Sequence, residues 1–204
     1  MKKIVLIALA LFSLGARAVT LETLETLQQR FASQPVVRAS FEQLRQISGM
    51  AQPLTSRGQL LIARDKGLWW QQVQPFPLTL LLDEKRMVQV MNGQPPEIVT
   101  AESNPQMFQF NHLLRALFQA DRQVLEQNFT LDFKSLGGER WRLVLTPVTT
   151  PLDKLFTTIT LQGAEYLDQI ALDDRQGDRT AITFSQQRLT PASLSDEERQ
   201  RFDF

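Results

Sequence analysis

The chain has 204 residues and a formal net charge of +0, with 43% hydrophobic and 22% charged residues. This length suits one domain, and the apolar fraction is ordinary for a globular protein. The balanced charge does not favour a nucleic-acid-binding surface. The absence of cysteine excludes disulfides and thiolate metal sites, and His112 is the only histidine. The composition therefore argues against most enzyme chemistry, and we expect no catalytic residue, metal or cofactor.

The first eighteen residues are typical of a cleaved secretory signal peptide. Lys2 and Lys3 precede an apolar run over 4–14, and the sequence around Arg17 forms an A-x-A cleavage site. The alternative is a membrane anchor, but the apolar run is shorter than the ~20 residues that span a bilayer. We therefore expect an exported, periplasmic protein that is soluble after cleavage and consists of one domain over 19–204.

The mature chain is predicted to begin with an amphipathic helix over 20–33. Thr20 is placed to cap it, and Pro35 follows its end. Its apolar residues recur every three or four positions, at Leu21, Leu24, Leu27 and Phe31. This spacing places them in one stripe that can cover a sheet.

A second helix is predicted over 104–120. Asn104 can cap it, and Pro105 suits its first position. Its apolar face is unusually wide and includes Phe108, Phe110, Leu113, Leu114 and Leu117. His112 lies on the same helix, but a lone helical histidine is far more often structural than catalytic.

The rest of the chain alternates apolar and polar residues, which indicates roughly ten strands. Strands with one apolar face favour a large antiparallel sheet that curls and needs a cover. Two helices over such a sheet can leave an apolar cavity, although a completely filled core is the alternative. The candidate cavity residues are Phe41, Leu60, Ile62, Leu68, Trp70, Leu80, Leu82, Trp141, Leu143, Ile182 and Phe184.

Arg64 interrupts this apolar pattern. It follows Ile62 by two positions and Leu60 by four, so it is predicted to point to the same face of the strand. A buried guanidinium must find hydrogen-bond acceptors, because an unpaired buried charge is very costly. Alternatively, Arg64 lies at the sheet edge and extends its charged end into water.

Several short motifs, taken in order, resemble the LolA-type periplasmic carriers of outer-membrane lipoproteins. The resemblance covers nearly all of the mature chain. Its motifs are Ala39–Gln43, Gly58–Arg64, Leu68–Trp70, Leu80–Asp83, Trp141–Pro147 and Ile170–Asp173. The resemblance implies an α+β fold, in which an incomplete antiparallel β-barrel (a half-barrel) is covered by a helical lid. It also implies that acyl chains occupy a hydrophobic cavity between the two.

The same resemblance implies roles for individual residues and for partners. Arg64 matches a family arginine that latches the lid, and 104–120 would be that lid. Leu68, Trp70 and Leu80 match cavity or lid-facing positions. Acylated lipoproteins would pass from an inner-membrane release transporter to an outer-membrane receptor, and the carrier would act as a monomer.

The family's Arg-Pro step is Arg64-Asp65 here, which indicates a divergent paralogue. An alternative function is therefore a non-catalytic scaffold or accessory protein of an envelope glycolipid or aryl-polyene pathway.

Overall fold

A computed structural model describes residues 23–91, 93–100, 102–103, 116 and 121–203. The predicted signal peptide lies outside these residues. So does the predicted helix over 104–120, with the exception of Ala116.

The described part of the chain forms one antiparallel sheet of eleven strands, in the order β6-β5-β4-β3-β2-β1-β11-β10-β9-β8-β7. Strands β6 and β7 are its two edges, so the sheet is open. The strands are β1 (Val36–Gln46), β2 (Leu54–Ala63), β3 (Gly67–Gln74), β4 (Leu78–Leu82), β5 (Arg86–Met91), β6 (Glu97–Thr100), β7 (Phe129–Gly137), β8 (Arg140–Pro147), β9 (Phe156–Gly163), β10 (Leu167–Asp174) and β11 (Arg179–Arg188). The sequence predicts roughly ten strands, and the additional one is β6, whose four residues are too few to show a clear alternation.

Four helices are described: α1 (Leu24–Ser33), α2 (Arg122–Asn128), α3 (Leu152–Leu155) and α4 (Asp196–Gln200). The prediction that Thr20 caps the first helix is wrong, because Thr23 is the cap. The Thr23 hydroxyl accepts a hydrogen bond from the Thr26 backbone N–H at 3.1 Å, and Thr26 Oγ1 accepts one from the Thr23 N–H at 3.0 Å. This reciprocal pair satisfies two backbone donors at the helix start. Helices α2 to α4 are too short for their periodicity to be recognised in the sequence.

Alternation along the strands gives the sheet two apolar faces. One face packs against α1 through Leu27 and carries the larger cluster of buried residues, and we call it the α1 face. The other face carries a smaller cluster that packs against Phe202 near the C-terminus, and we call it the C-terminal face. The smaller cluster comprises Val36, Leu61, Ala63, Trp69, Leu81, Val88 and Phe202.

Gly58 on β2 makes room for an aromatic pair on the α1 face. A Cβ atom there would lie 2.7 Å from the Phe41 ring and 1.8 Å from the backbone oxygen of Gln71. With glycine at this position, the Phe41 ring stacks on Trp70 with 3.6 Å between the ring centroids. A side chain at position 58 would therefore displace both the ring and the β2–β3 pairing.

Candidate functional site

All eleven predicted cavity residues lie in the cluster on the α1 face. Four of them are only partly buried: Ile62, Trp70, Leu80 and Ile182. The other seven are buried: Phe41, Leu60, Leu68, Leu82, Trp141, Leu143 and Phe184. Trp69, the neighbour of Trp70, lies on the opposite face of the sheet.

Two adjoining pockets lie between α1 and the sheet. The first has a volume of about 140 Å³, and its apolar lining includes Ala39, Leu60, Leu167 and Phe184. The second has a volume of about 330 Å³ and extends towards Arg64. Both are lined by Phe31, Gln34, Val37 and Ile62.

Helix α1 is fixed over these pockets by hydrogen bonds to the turn between β9 and β10. Arg30 Nη1 donates to the backbone oxygen of Ala164 at 2.7 Å and to that of Glu165 at 3.3 Å. Trp141 Nε1 donates to the same Ala164 oxygen at 2.9 Å. The Phe31 ring meets the Trp141 ring edge-on, with 5.9 Å between the centroids and 69° between the planes. One carbonyl therefore connects α1, β8 and the β9–β10 turn beside the first pocket.

Arg64 lies at the end of a strand rather than within it. Strand β2 ends at Ala63, and Arg64 begins the turn to β3 with an exposed side chain. Its backbone N–H donates to the Pro35 oxygen at 3.0 Å, and Arg64 and Asp121 are both among the residues that line the second pocket. Its guanidinium makes no hydrogen bond or ion pair to any described residue. The predicted latch contact with 104–120 therefore stays a prediction.

The proposed lid residues Phe108, Phe110, Leu113, Leu114 and Leu117, together with His112, lie outside the described residues. Ala116 is described, and it is buried in the cluster of the α1 face. Its backbone oxygen accepts a hydrogen bond from the Asp121 N–H at 3.0 Å. Ala116 is therefore in contact with the α1 face.

Some pocket residues were not among the predicted cavity residues. Phe31 belongs to the predicted stripe of the first helix, and Val37 and Ala39 follow the same alternation as Phe41. These three could have been found from periodicity. Leu167 and Leu189 could not, because their places depend on how distant strands pair.

A charged network on the C-terminal face was also not predicted from the sequence, because its partners are far apart along the chain. The Arg38 guanidinium donates to both carboxylate oxygens of Glu198 at 2.6 and 2.8 Å, and to the backbone oxygens of Pro191 and Ser193. The hydrogen bond from Arg38 lowers the pKa of the Glu198 carboxyl to about 2. The network attaches α4 to β1.

Two features bear on the location and chemistry of the protein. None of the helices that the structure describes is long and apolar enough to cross a membrane. Within the described ranges, no group of three or more His, Asp or Glu side chains is arranged to hold a metal ion.

Two solved structures are similar to this chain in overall course. A LolA superfamily protein from Nitrosomonas europaea is 12% identical, with a TM-score of 0.47, and the match covers 86% of this chain and 96% of that one. A DUF1329 family protein from Desulfovibrio piger is 11% identical, with a TM-score of 0.47, over 85% of this chain and 92% of that one. No curated protein matches the chain.

The family model for the outer membrane lipoprotein carrier protein LolA matches residues 33–198. This segment extends from the end of α1 to α4 and includes the whole described sheet. The chain therefore belongs to the LolA family.

Proposed function

We propose that this protein is a periplasmic carrier that shelters the acyl chains of lipoproteins, or of a related lipid-like cargo, between α1 and the sheet. The observation that supports it most directly is the pair of adjoining, largely apolar pockets on the α1 face of a LolA-family chain. The carrier acts without catalysis, and it hands its cargo towards the outer membrane.

A carrier of this kind must replace the burial that a membrane gives to an acyl chain. Burial contributes about 0.8 kcal/mol per methylene, which is on the order of 10 kcal/mol for a sixteen-carbon chain. Small-molecule sites usually have volumes of about 300–1,000 Å³. The first pocket, at about 140 Å³, is smaller than this range, and the second, at about 330 Å³, lies at its lower end. We therefore propose that a full acyl chain enters only when the cover of the α1 face moves.

We propose that Phe31 is the first side chain to move. It lines both pockets, is only partly buried, and is carried by a helix of ten residues. Rotation of its ring away from Trp141 would enlarge the space beside the wall that the two pockets share. We propose that the sheet and the segment 104–120 form a half-barrel with a lid, and that this lid opens together with α1.

Release of cargo requires two states of similar free energy. In our proposal the hydrogen bonds of Arg30 to the β9–β10 turn stabilise the closed, empty state, and Arg64 adds bonds to the lid. A charge-assisted hydrogen bond contributes about 1.5–3 kcal/mol. Cargo binds against this free energy, which weakens binding enough for transfer. The donor would be an inner-membrane release transporter and the acceptor an outer-membrane receptor.

A scaffold with a filled core is the second candidate function. Seven of the eleven predicted cavity residues are buried, as a packed core requires. A scaffold of an envelope glycolipid or aryl-polyene pathway would show no saturable binding of apolar ligands.

The discriminating experiment is the binding of a lipophilic fluorescent probe and its displacement by an acylated peptide. Val37→Trp places a large ring in the wall that the two pockets share, and it should weaken probe binding at least about tenfold, because each methylene excluded from the site costs about 0.8 kcal/mol. Val90→Trp is the matched control, since Val90 packs on the C-terminal face. Absence of saturable binding to the wild type, or equal binding to both variants, would contradict the carrier function.

The latch is tested separately by transfer of a bound acylated peptide to acceptor vesicles. Arg64→Leu should retain cargo more tightly and transfer it more slowly than the wild type. Lys66→Leu, in the same exposed turn, is the control and should transfer normally. Unchanged transfer by the Arg64 variant would refute the latch while leaving the probe result intact.

A further inference from the structure

The C-terminal face contains a polar groove that the proposed cargo site does not use. It lies between strands β1, β2 and β11 on one side and α4 on the other, with a volume of about 440 Å³. Arginine side chains from three separate elements line it, namely Arg38, Arg188 and Arg201. Sheet side chains with amide groups, Gln59 and Gln186, complete its polar lining.

Two of these arginines face each other across a strand pair. Arg38 of β1 is directly opposite Arg188 of β11. Like charges in opposite positions on neighbouring strands destabilise a sheet unless an anion lies nearby. Glu198 compensates the charge of Arg38 through two hydrogen bonds. Arg188 is exposed and has no hydrogen bond or ion pair with any described residue.

The third arginine adds further positive charge. The Arg201 guanidinium lies 4.6 Å from the centre of the Trp69 ring and pairs with Glu197 at 2.9 Å. Glu197 is 80% exposed, so solvent screens this pair and its interaction is weak. Glu198 is the one carboxylate among the described residues that line the groove, against three guanidinium groups. The groove therefore carries an excess of positive charge.

Two side chains of this groove, those of Arg38 and Gln186, are held in place before any ligand arrives. The Arg38 side chain uses four of its five N–H groups within the protein, and the residue is only 8% exposed. A register shift between Arg38 and Ser40 accompanies the left-handed backbone of Gln186, at φ 52°. The Gln186 side-chain oxygen then accepts from the Ser40 hydroxyl at 3.0 Å, which orients its amide. Its Nε2 group makes no hydrogen bond to the described residues.

We propose that this groove binds a phosphate group, either as a free phosphate or as the headgroup of an anionic phospholipid. Guanidinium groups present paired N–H donors that match the oxygens of a phosphate, and each such bond is stronger than one between neutral groups. Arg188 and Arg201 supply the charge, and the Gln186 amide supplies a neutral donor. The site is on the opposite face of the sheet from the apolar pockets, so it is independent of the acyl-chain proposal.

The first test is an NMR titration of the protein with inorganic phosphate at constant ionic strength. The Trp69 indole N–H and the Arg188 and Arg201 Nε–H signals should shift saturably. Arg188→Gln should weaken the apparent affinity about tenfold, as expected for the loss of one charged hydrogen-bond partner. Arg142→Gln is the matched control, because Arg142 is an exposed strand arginine on the same face, three strands away on β8.

The second arm distinguishes the source of the phosphate. A lipid headgroup is identified if the protein co-sediments with phosphatidylglycerol vesicles but not with phosphatidylcholine vesicles, and if Arg188→Gln reduces this co-sedimentation. Saturable phosphate shifts without co-sedimentation identify a free phosphate. The proposal would be overturned if neither phosphate shifts nor co-sedimentation were observed. Equal effects in the Arg188 and Arg142 variants would also overturn it, and so would phosphate shifts that are confined to residues outside the groove.

Discussion

The two faces of the sheet are covered by different kinds of interaction. On the α1 face, a short helix with one apolar stripe lies over a large apolar cluster and leaves two pockets beneath it. On the C-terminal face, a small apolar cluster is covered by Phe202 and α4, and the cover is attached through the buried pair of Arg38 and Glu198. Helix α1 is attached by non-directional apolar contacts and by hydrogen bonds from Arg30 to two neutral carbonyls, whereas the bidentate ion pair of Arg38 and Glu198 fixes its partners in one geometry. The comparison explains why we assign the movable cover to the α1 face.

The largest expected effect comes from the core of the α1 face. Trp141 is 1% exposed, and its indole N–H donates to the Ala164 oxygen. Trp141→Ala should lower the free energy of unfolding by about 3–5 kcal/mol, because it leaves a cavity and removes one of the two hydrogen bonds that the Ala164 oxygen accepts. Urea unfolding measures this change. The control is Arg142→Ala, which should change the free energy of unfolding little because Arg142, the next residue along β8, is exposed. Equal losses of stability in the two variants would contradict the assignment of the core.

The next effect concerns the attachment of the C-terminal cover. Glu198→Gln removes the negative charge beside Arg38 and should lower the free energy of unfolding by about 2 kcal/mol at neutral pH. The Arg38 hydrogen bond lowers the pKa of Glu198 from 4.5 to about 2. Since the folded pKa is below the unfolded one, this stabilisation is complete above pH 4.5 and is lost as the pH falls towards 2.

The pH dependence distinguishes a charge effect from a packing effect. Unfolding of the wild type and of Glu198→Gln should be compared between pH 6 and about 2. The gap between them should be largest at the upper end and close as the pH approaches the pKa of Glu198 in the folded state. A gap that persists unchanged to the lowest pH would show that the ion pair does not hold α4.

A smaller effect is expected where a cation covers an aromatic ring. Arg201→Ala removes the guanidinium over Trp69 and should cost about 0.5–1 kcal/mol. Trp69 should then be more accessible, so its fluorescence should be quenched more strongly by iodide. Arg201→Lys keeps the charge and should recover part of the stability; an unchanged quenching constant in the alanine variant would rule out this covering contact.

The smallest effect is expected for an exposed ion pair between two strands. Arg57 pairs with Glu42 at 2.6 Å, but the side chains are 59% and 43% exposed. Arg57→Gln should change the free energy of unfolding by no more than about 0.5 kcal/mol, because exposed ion pairs are screened by water and salt. Thermal unfolding at low and high salt tests this expectation. A loss as large as that of Glu198→Gln would remove the contrast between a buried and an exposed pair.

Periodicity in the sequence determined which strand residues share a face. The alternation that includes Phe41, Leu60 and Leu143 predicted one apolar cluster, and all eleven chosen residues lie in it. The reason is local: successive side chains of a strand point to opposite sides whatever the strand's neighbours are. The motifs likewise sufficed to predict the LolA family, which the family model over 33–198 confirms.

Only the tertiary structure decided which of these residues border empty space. Leu60 and Phe184 line the first pocket, whereas Leu143, equally apolar, is packed in the core. The difference depends on where α1 and the β9–β10 turn lie over the sheet. The pair of Arg38 and Glu198 joins positions 160 residues apart, and the opposition of Arg38 and Arg188 depends on the pairing of β1 with β11. No periodic pattern encodes such long-range contacts, because they arise only when distant strands assemble into one sheet.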